Sequence, residues 1–393
     1  MRHLRKSLKS VICQMVMMAM FVIMNIVNQT SGIAAEPASS ITNLIQLSRL
    51  VDSEQTFVGS INIEGIVWWS SESEGRVILN DDSGTVQLEI DFPCQMPPQG
   101  ARVSLAGKCT MVKNRDVIKL SSIPVVENDG LHPMTEKSGD IYLEAGLHPI
   151  QVDWFNRTDK FGLEVAFEGP NIPQQKIPDG VLFRSQFDPE KGVTNLINGL
   201  NYRCCEGLWW SWLPNLYHLP TVKTGEVNNF DIAMRSRNEQ VSMQFSGYIQ
   251  ITNSGLYTFH TTSDDGSRLF IGDPSLRIAV HGNAPLPSSS QITDGSGQEA
   301  NGYHWSEIEG IVISVNRLQD VLEFELATTS GREKIKVADN SNCSFILAPQ
   351  NRIRTIGVSQ NNLLLDGKNE PGEFFVQRWT DIDQLYITPV NGG

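Results

Sequence analysis

This 393-residue sequence predicts an all-β protein built from several small modules, and three observations carry the prediction. First, Val241, Met243, Phe245, Ile249 and Ile251 are apolar at every second position, broken only by Gly247. Tyr257 and Phe259 resume the alternation after a turn at Asn253-Ser254-Gly255, and a period of two belongs to strands with one buried face. Second, short strand-like runs separated by turn residues recur at about 57–126 and 303–388, a density that suits small barrels or sandwiches. Third, Ile308-Glu309-Gly310-Ile311-Val312 repeats Ile63-Glu64-Gly65-Ile66-Val67 residue for residue, and Arg352 to Gly357 echoes Arg102 to Gly107. The landmark glycines lie 42 residues apart in one copy and 47 in the other, which argues for a duplicated module.

Residues 1–35 carry Arg2, Arg5, Lys6 and Lys9, an apolar run from Val11 to Val27, and small residues up to Ala34-Ala35 before Glu36-Pro37. This is the layout of a secretory signal, with cleavage expected after Ala35. The run is long for a signal and short for a spanning helix. An uncleaved anchor is therefore the alternative, and a membrane is an expected partner only in that case. The formal net charge is −13; without residues 1–35 it becomes −17, from 27 Lys and Arg against 44 Asp and Glu. Such a chain repels phosphate backbones and anionic bilayers, so nucleic acid is not an expected partner. Cys94, Cys109, Cys204, Cys205 and Cys343 remain, an odd number without Cys-x-x-Cys spacing. Cys94 and Cys109 read as small buried thiols, with a bridge between them as the alternative.

Within 41–127, Ile41 to Leu47 reads as a short helix or a strand-like lead. Strands follow at Ile61–Val67, Val86–Ile90, Arg102–Gly107 and Val117–Leu120, with a turn at Asn80-Asp81-Asp82-Ser83-Gly84. The repeat places a second such module in 276–393. Both resemble oligonucleotide/oligosaccharide-binding (OB) barrels, whose strands coil at glycines. Trp68, Trp69 and Trp305 offer aromatic faces but no basic groove, and they read as packing residues.

The centre, 128–275, contains two sets of motifs. Asn128-Asp129-Gly130-Leu131-His132 and Ala145-Gly146-Leu147-His148-Pro149-Ile150 precede strands through Trp154 and Leu163–Phe167, then a Gly169-Pro170-Asn171 loop. After a polar linker at about 185–200 come Gly199-Leu200-Asn201-Tyr202, Glu206-Gly207-Leu208-Trp209-Trp210, Leu213-Pro214, Gly247-Tyr248-Ile249, and Ser263-Asp264-Asp265-Gly266-Ser267-Arg268. The later set resembles the first half of the protective-antigen-type (PA-fourteen) β-sandwich family, and the earlier set resembles its second half. The halves stand in reversed order. The resemblance implies one circularly permuted sandwich over 128–275, with the two barrels leaving it side by side.

Two adjacent carboxylates in a turn repel each other. On the residues alone, Asp264-Asp265-Gly266 is either ordinary turn chemistry or a place for a hard cation such as Ca²⁺, which takes oxygen ligands. In sugar-binding members of the family the Asp-Asp pair, joined by a cis peptide, holds a calcium that contacts sugar hydroxyls. A loop of the other half adds an Asn side chain and backbone carbonyls. The resemblance thus implies Asp264, Asp265 and Asn171 as ligands of both calcium and carbohydrate. Arg268 is the competing partner, since a salt bridge to the pair would leave no metal. Trp209, Trp210 and Trp212 read as core, with stacking on sugar faces as the alternative. No His-Glu-x-x-His pair, Gly-x-Ser-x-Gly elbow or phosphate loop occurs, and His132 and His148 read as structural hydrogen-bonding residues. The expected function is an exported, non-enzymatic, Ca²⁺-assisted binding protein for a glycan or cell-surface polysaccharide. The alternative is an exported structural or sensing scaffold that binds no sugar.

Overall fold

The computed structural model describes residues 40–53, 56–114, 116–287, 290–291, 302–318, 321–329, 331–339, 346–363 and 369–385. The expected signal segment and Cys343 lie outside them. Among the described residues, one α-helix, α1 (Leu44–Ser53), precedes the first sheet. Its apolar residues Leu44, Leu47 and Val51 fall on one face and are buried against the first core. Asn43 caps it by accepting from the Gln46 N–H. Two further N–H groups of the first turn donate to Asp81 and Ser83. The turn between two strands thus satisfies helix donors that have no partner within the helix. No described helix is long and apolar enough to cross a membrane.

The first sheet contains β1 (Thr56–Ser71), β2 (Arg76–Asp81), β3 (Gly84–Asp91), β4 (Ala101–Asn114) and β5 (Val117–Ser122). They follow the order β1-β2-β3-β5-β4, and β4 pairs back onto β1 from Thr56↔Val112 to Ile66↔Arg102, closing the sheet. The β3–β5 pair is parallel. Gly65 sits where β1 bends past β2; a Cβ there would lie 2.8 Å from the Asn80 carbonyl oxygen. Cys94 and Cys109 are free thiols. Burial pushes them up to about 11 and about 12 respectively, with Glu72 adding to the shift at Cys94.

The central strands are β6 (Val126–Asn128), β7 (Thr135–Leu143), β8 (Gly146–Asn156), β9 (Gly162–Gly169), β10 (Ile172–Lys176), β11 (Leu182–Asp188), β12 (Val193–Asn198), β13 (Leu200–Glu206), β14 (Thr221–Val227), β15 (Val241–Ile251), β16 (Gly255–Asp264) and β17 (Ser267–Ile271). They form two sheets. One runs β10-β9-β16-β7; the other runs β12-β11-β15-β8-β17-β6, with β13 bridging β15 and β14. The early and late motif sets therefore share both sheets: β16 lies between β7 and β9, and β8 between β15 and β17. Trp154, Phe167, Phe245, Tyr257 and Phe259 fill one common core, with the Phe167 ring stacked on Tyr257 and Phe259.

The next strand, β18 (Leu276–Asn283), pairs with β4 of the first sheet, although the sequence assigns 276 onward to the last module. The reason is hydrogen bonding. β5 reaches only residues 109–114 of β4, so the backbone of 101–107 needs another partner, and β18 supplies it. After β19 (Ser290–Gln291), the last sheet contains β20 (Gly302–Leu318), β21 (Val321–Ala327), β22 (Arg332–Asp339), β23 (Arg352–Leu363), β24 (Asn369–Arg378) and β25 (Ile382–Leu385). It closes as the first one does, in the order β20-β21-β22-β24-β23 and back to β20, with β22–β24 parallel. The repeated segments occupy equivalent registers, Ile66 opposite Arg102 and Ile311 opposite Arg352. Trp68, Trp69 and Ile78 pack against Val358, Phe375, Tyr303 and Trp305 between the two closed sheets. The Trp69 indole donates to the Val376 carbonyl at 3.1 Å, and Gln377 exchanges two hydrogen bonds with the Ser70 backbone. These tryptophans are packing residues.

Candidate functional site

β16 ends at Asp264, opposite Gly162 of β9, and the chain turns through Asp265-Gly266 into β17. The Asp264–Asp265 peptide is cis. Polar side chains beneath the turn hold it in place. Ser263 and Ser267 hydroxyls lie 2.8 Å apart, Ser267 donates to Thr261, and the Asn128 amide donates to Thr135, Thr261 and Ser263. The turn's backbone oxygens are also occupied, since the Trp154 indole donates to the Asp264 carbonyl and the Phe155 N–H to that of Gly266. The carboxylates are treated differently. Asp265 accepts from the Arg157 N–H at 2.9 Å, and among the described residues neither carboxylate has an ion pair. Burial and the adjacent Asp265 raise the Asp264 carboxyl above its ordinary range, while His132 and Lys160 oppose the shift. The pair opens onto a hollow of about 540 Å³ lined also by His132, Pro133, Thr158, Asp159 and Lys160.

Arg268 does not neutralise the pair. Its guanidinium bonds Glu127 and Asp129 and reaches Asp91 at the end of β3. Asn171 is placed far away, which corrects its assignment as a ligand. β9 runs from Gly162, opposite Asp264, to Gly169, and Asn171 lies beyond that far end. The seven residue steps from Gly162 to Gly169 separate the two ends by roughly 23 Å. Asn171 instead takes the left-handed backbone (φ 62) of a tight β9–β10 turn, a conformation that Asn tolerates.

A different asparagine lies at the correct end. Trp154 and Asn156 share one face of β8, and the Trp154 indole already reaches Asp264, so Asn156 lies one pleat nearer the strand end that carries the pair. Asn156 is fully buried, and its Nδ2 donates to the Asn238 carbonyl. Among the described residues, its Oδ1 is buried without a hydrogen-bond partner. Such an orphaned acceptor costs about 1–3 kcal/mol unless something fills it. A hard cation held by Asp264 and Asp265 suits that requirement. Among the described residues no group of three or more His, Cys, Asp or Glu is arranged for a metal, so the acidic share of a site here is the pair alone. The sequence signal for Asn156 was present but ambiguous: it is the last polar residue in the alternation that buries Val152 and Trp154.

His132 fits both its expected role and the site. Its ring nitrogens lie 3.0 Å from the Asn128 and Pro133 carbonyl oxygens, and it lines the hollow. His148 bonds the Glu144 carbonyl at 2.7 Å, a structural contact. The tryptophans depart from expectation. Trp209 and Trp212 are both 67% exposed; only Trp210 is half-buried, over Gly207. Their run, three indoles in four residues, lacks the alternation of a buried strand.

Residues 211–308 match the PA14 domain family. No curated protein matches the chain. The PA14 match covers about a quarter of the chain. It includes β15, β16, the Asp264–Asp265 turn and β17, and it runs on through β18 into β20. β8, which brings Asn156 to the turn, lies outside the PA14 match.

Proposed function

We propose that this is an exported, non-enzymatic carbohydrate-binding protein, and that Asp264, Asp265 and the Asn156 Oδ1 hold one Ca²⁺ at the end of the sandwich. One observation carries the reading. Two adjacent carboxylates, without an ion pair among the described residues, open onto a polar hollow, and the β8–β17 register brings to the same strand end a buried Asn156 oxygen with no hydrogen-bond partner among those residues. Bound Ca²⁺ supplies a fixed positive charge that takes hydroxyl oxygens into its shell. The chain's own residues orient that charge: the Arg157 N–H holds Asp265, and Trp154 holds the Asp264 backbone.

On this reading residues 128–275 are a circularly permuted sandwich of the PA14 kind, and the two closed sheets are OB-type barrels. Supporting it are the motif halves in reversed order within shared sheets, and the identical strand order and register of the two closed sheets. Nucleic acid is not proposed, because the chain is acidic and the barrel tryptophans are packed between sheets. A glycan array probed with and without EGTA tests the function. Calcium-dependent binding to a saccharide supports it, and an array without signal in either condition overturns it. A second reading, docking of a protein partner by a scaffold, is favoured by the exposed Phe187, Val193 and Leu196 on the β11–β12 hairpin.

A further inference from the structure

The loop between β13 and β14 carries Leu208, Trp209 and Trp212 at 71%, 67% and 67% exposure. Exposed indoles on a mobile loop would mean little, but these are tied at both ends. The Trp209 N–H donates to the Gln240 side chain at 2.6 Å, and the Gly207 N–H to the Gln240 carbonyl at 3.2 Å. At the other end the Leu213 N–H donates to Asp129 at 2.7 Å, and Asp129 is itself held by Arg268. Two chains of contact relate the indoles to the Asp264–Asp265 turn. The Arg157 guanidinium sits 5.2 Å over the Trp209 ring, while the N–H of the same Arg157 bonds Asp265. The Trp212 ring lies on Gly130, where a Cβ would come within 3.3 Å of it; the Gly130 N–H in turn lies against Gly266. Each indole is one residue removed from the turn.

We infer that Trp209 and Trp212 are stacking platforms that make the site an extended one, taking a chain of several sugar rings rather than one terminal sugar. This rests on the carbohydrate reading above. The chemistry fits a saccharide because a pyranose has an apolar C–H face and a hydroxyl edge. The site presents the same pair of features, flat exposed indoles next to a carboxylate pair, with the Arg157 guanidinium over one indole. Platforms held in place before binding lose little freedom when a ring stacks on them. A side chain at position 130 would meet the Trp212 ring, and φ +114 already excludes most residues there, so the fit of that ring depends on glycine.

The test uses the full chain and a printed series of cello-, malto-, manno- and xylo-oligosaccharides of increasing length, with Ca²⁺ titrated separately by calorimetry. The expected result is affinity that rises with chain length in the wild type. Trp209→Ala and Trp212→Ala each lower affinity for the longer oligomers by about tenfold or more, as for buried Trp anchors elsewhere. Trp209→Phe keeps part of the loss from appearing, Leu208→Ala leaves the length dependence unchanged, and all four variants retain Ca²⁺ binding and the wild-type melting temperature. Calcium-dependent binding with a flat length profile, or with tryptophan variants indistinguishable from wild type, overturns the inference and leaves the carbohydrate reading standing. Absence of binding to every saccharide overturns both. If either Ala variant melts early, Trp209→Leu and Trp212→Leu decide: these bulky, non-aromatic side chains should still lose affinity for the long oligomers, and unchanged affinity counts against the platforms.

Discussion

The Arg268 guanidinium on β17 lies 3.5 Å from the Asp91 carboxylate at the end of β3, joining the sandwich to the first closed sheet. The same side chain bonds Glu127 and Asp129, and Lys119 holds Asp91 from the other side. Arg268 follows the Asp264–Asp265 turn in sequence by three residues, yet it faces away from it. Its alternation along β17 sends it to the outer face of the sheet, where the first module packs.

Arg268→Met keeps the stem and removes the charge. It leaves Asp129 buried without its cation, and breaking a buried pair in this way costs about 3 kcal/mol. Thermal melts should show the loss. Because Asp129 also accepts from the Leu213 N–H, hydrogen exchange at that amide should quicken; an unchanged rate would mean that the loop is held without Asp129.

Calcium binding separates the two asparagines. Asp264→Asn with Asp265→Asn should abolish the calorimetric signal, and Asn156→Ala should weaken it at least about tenfold by removing one oxygen ligand. Asn171→Ala, at the far end of the sandwich, should leave it unchanged. Since Asp264 is raised above the ordinary range, Ca²⁺ affinity should begin to fall on acidification at a higher pH than for an ordinary carboxylate. Equal effects of the two asparagine variants would refute the placement of the metal on β8.

Asp153 on β8 offers a stability test. Burial pushes its carboxyl up to about 7, against hydrogen bonds from Gln244 and Gln151 that favour the charged form. The unfolded chain releases that proton near about pH 4. Between about 4 and about 7 the folded state therefore binds the extra proton, so its stabilising effect is complete below about pH 4 and is lost as pH rises through about 7. Asp153→Asn should raise the melting temperature by a few degrees at about pH 8 and by little at about pH 4. A gain of equal size at both would show that Asp153 titrates normally.

Gly107→Ala probes the docking of β18. Gly107 has φ +137, and a Cβ there would sit 2.1 Å from the Ser275 carbonyl oxygen, which accepts from the Lys108 N–H. The backbone must move, at a cost of about 2 kcal/mol or more. The expected readout is an earlier melt together with faster proteolysis between 272 and 283. A neutral substitution would mean that β18 docks without this close approach.

Local periodicity was enough for much of this protein. The alternation in β15 and β16, the turn glycines and the duplicated Ile-Glu-Gly-Ile-Val strands each depend on residues within one element, and each lies where the pattern put it. The Asp264–Asp265 turn was legible for the same reason. What the sequence leaves open is which end of a strand meets which loop. A period of two says that β9 is a strand; only its antiparallel register with β16 shows that its N-terminal end, and not the Asn171 end, lies beside Asp264. Likewise, alternation marks Trp154 and Asn156 as sharing a face, but only the closure of two sheets over that face leaves the Asn156 oxygen buried without a partner. The exposure of Trp209 and Trp212 has the same origin: an indole is equally at home in a core or on a platform, and the surrounding tertiary contacts decide which.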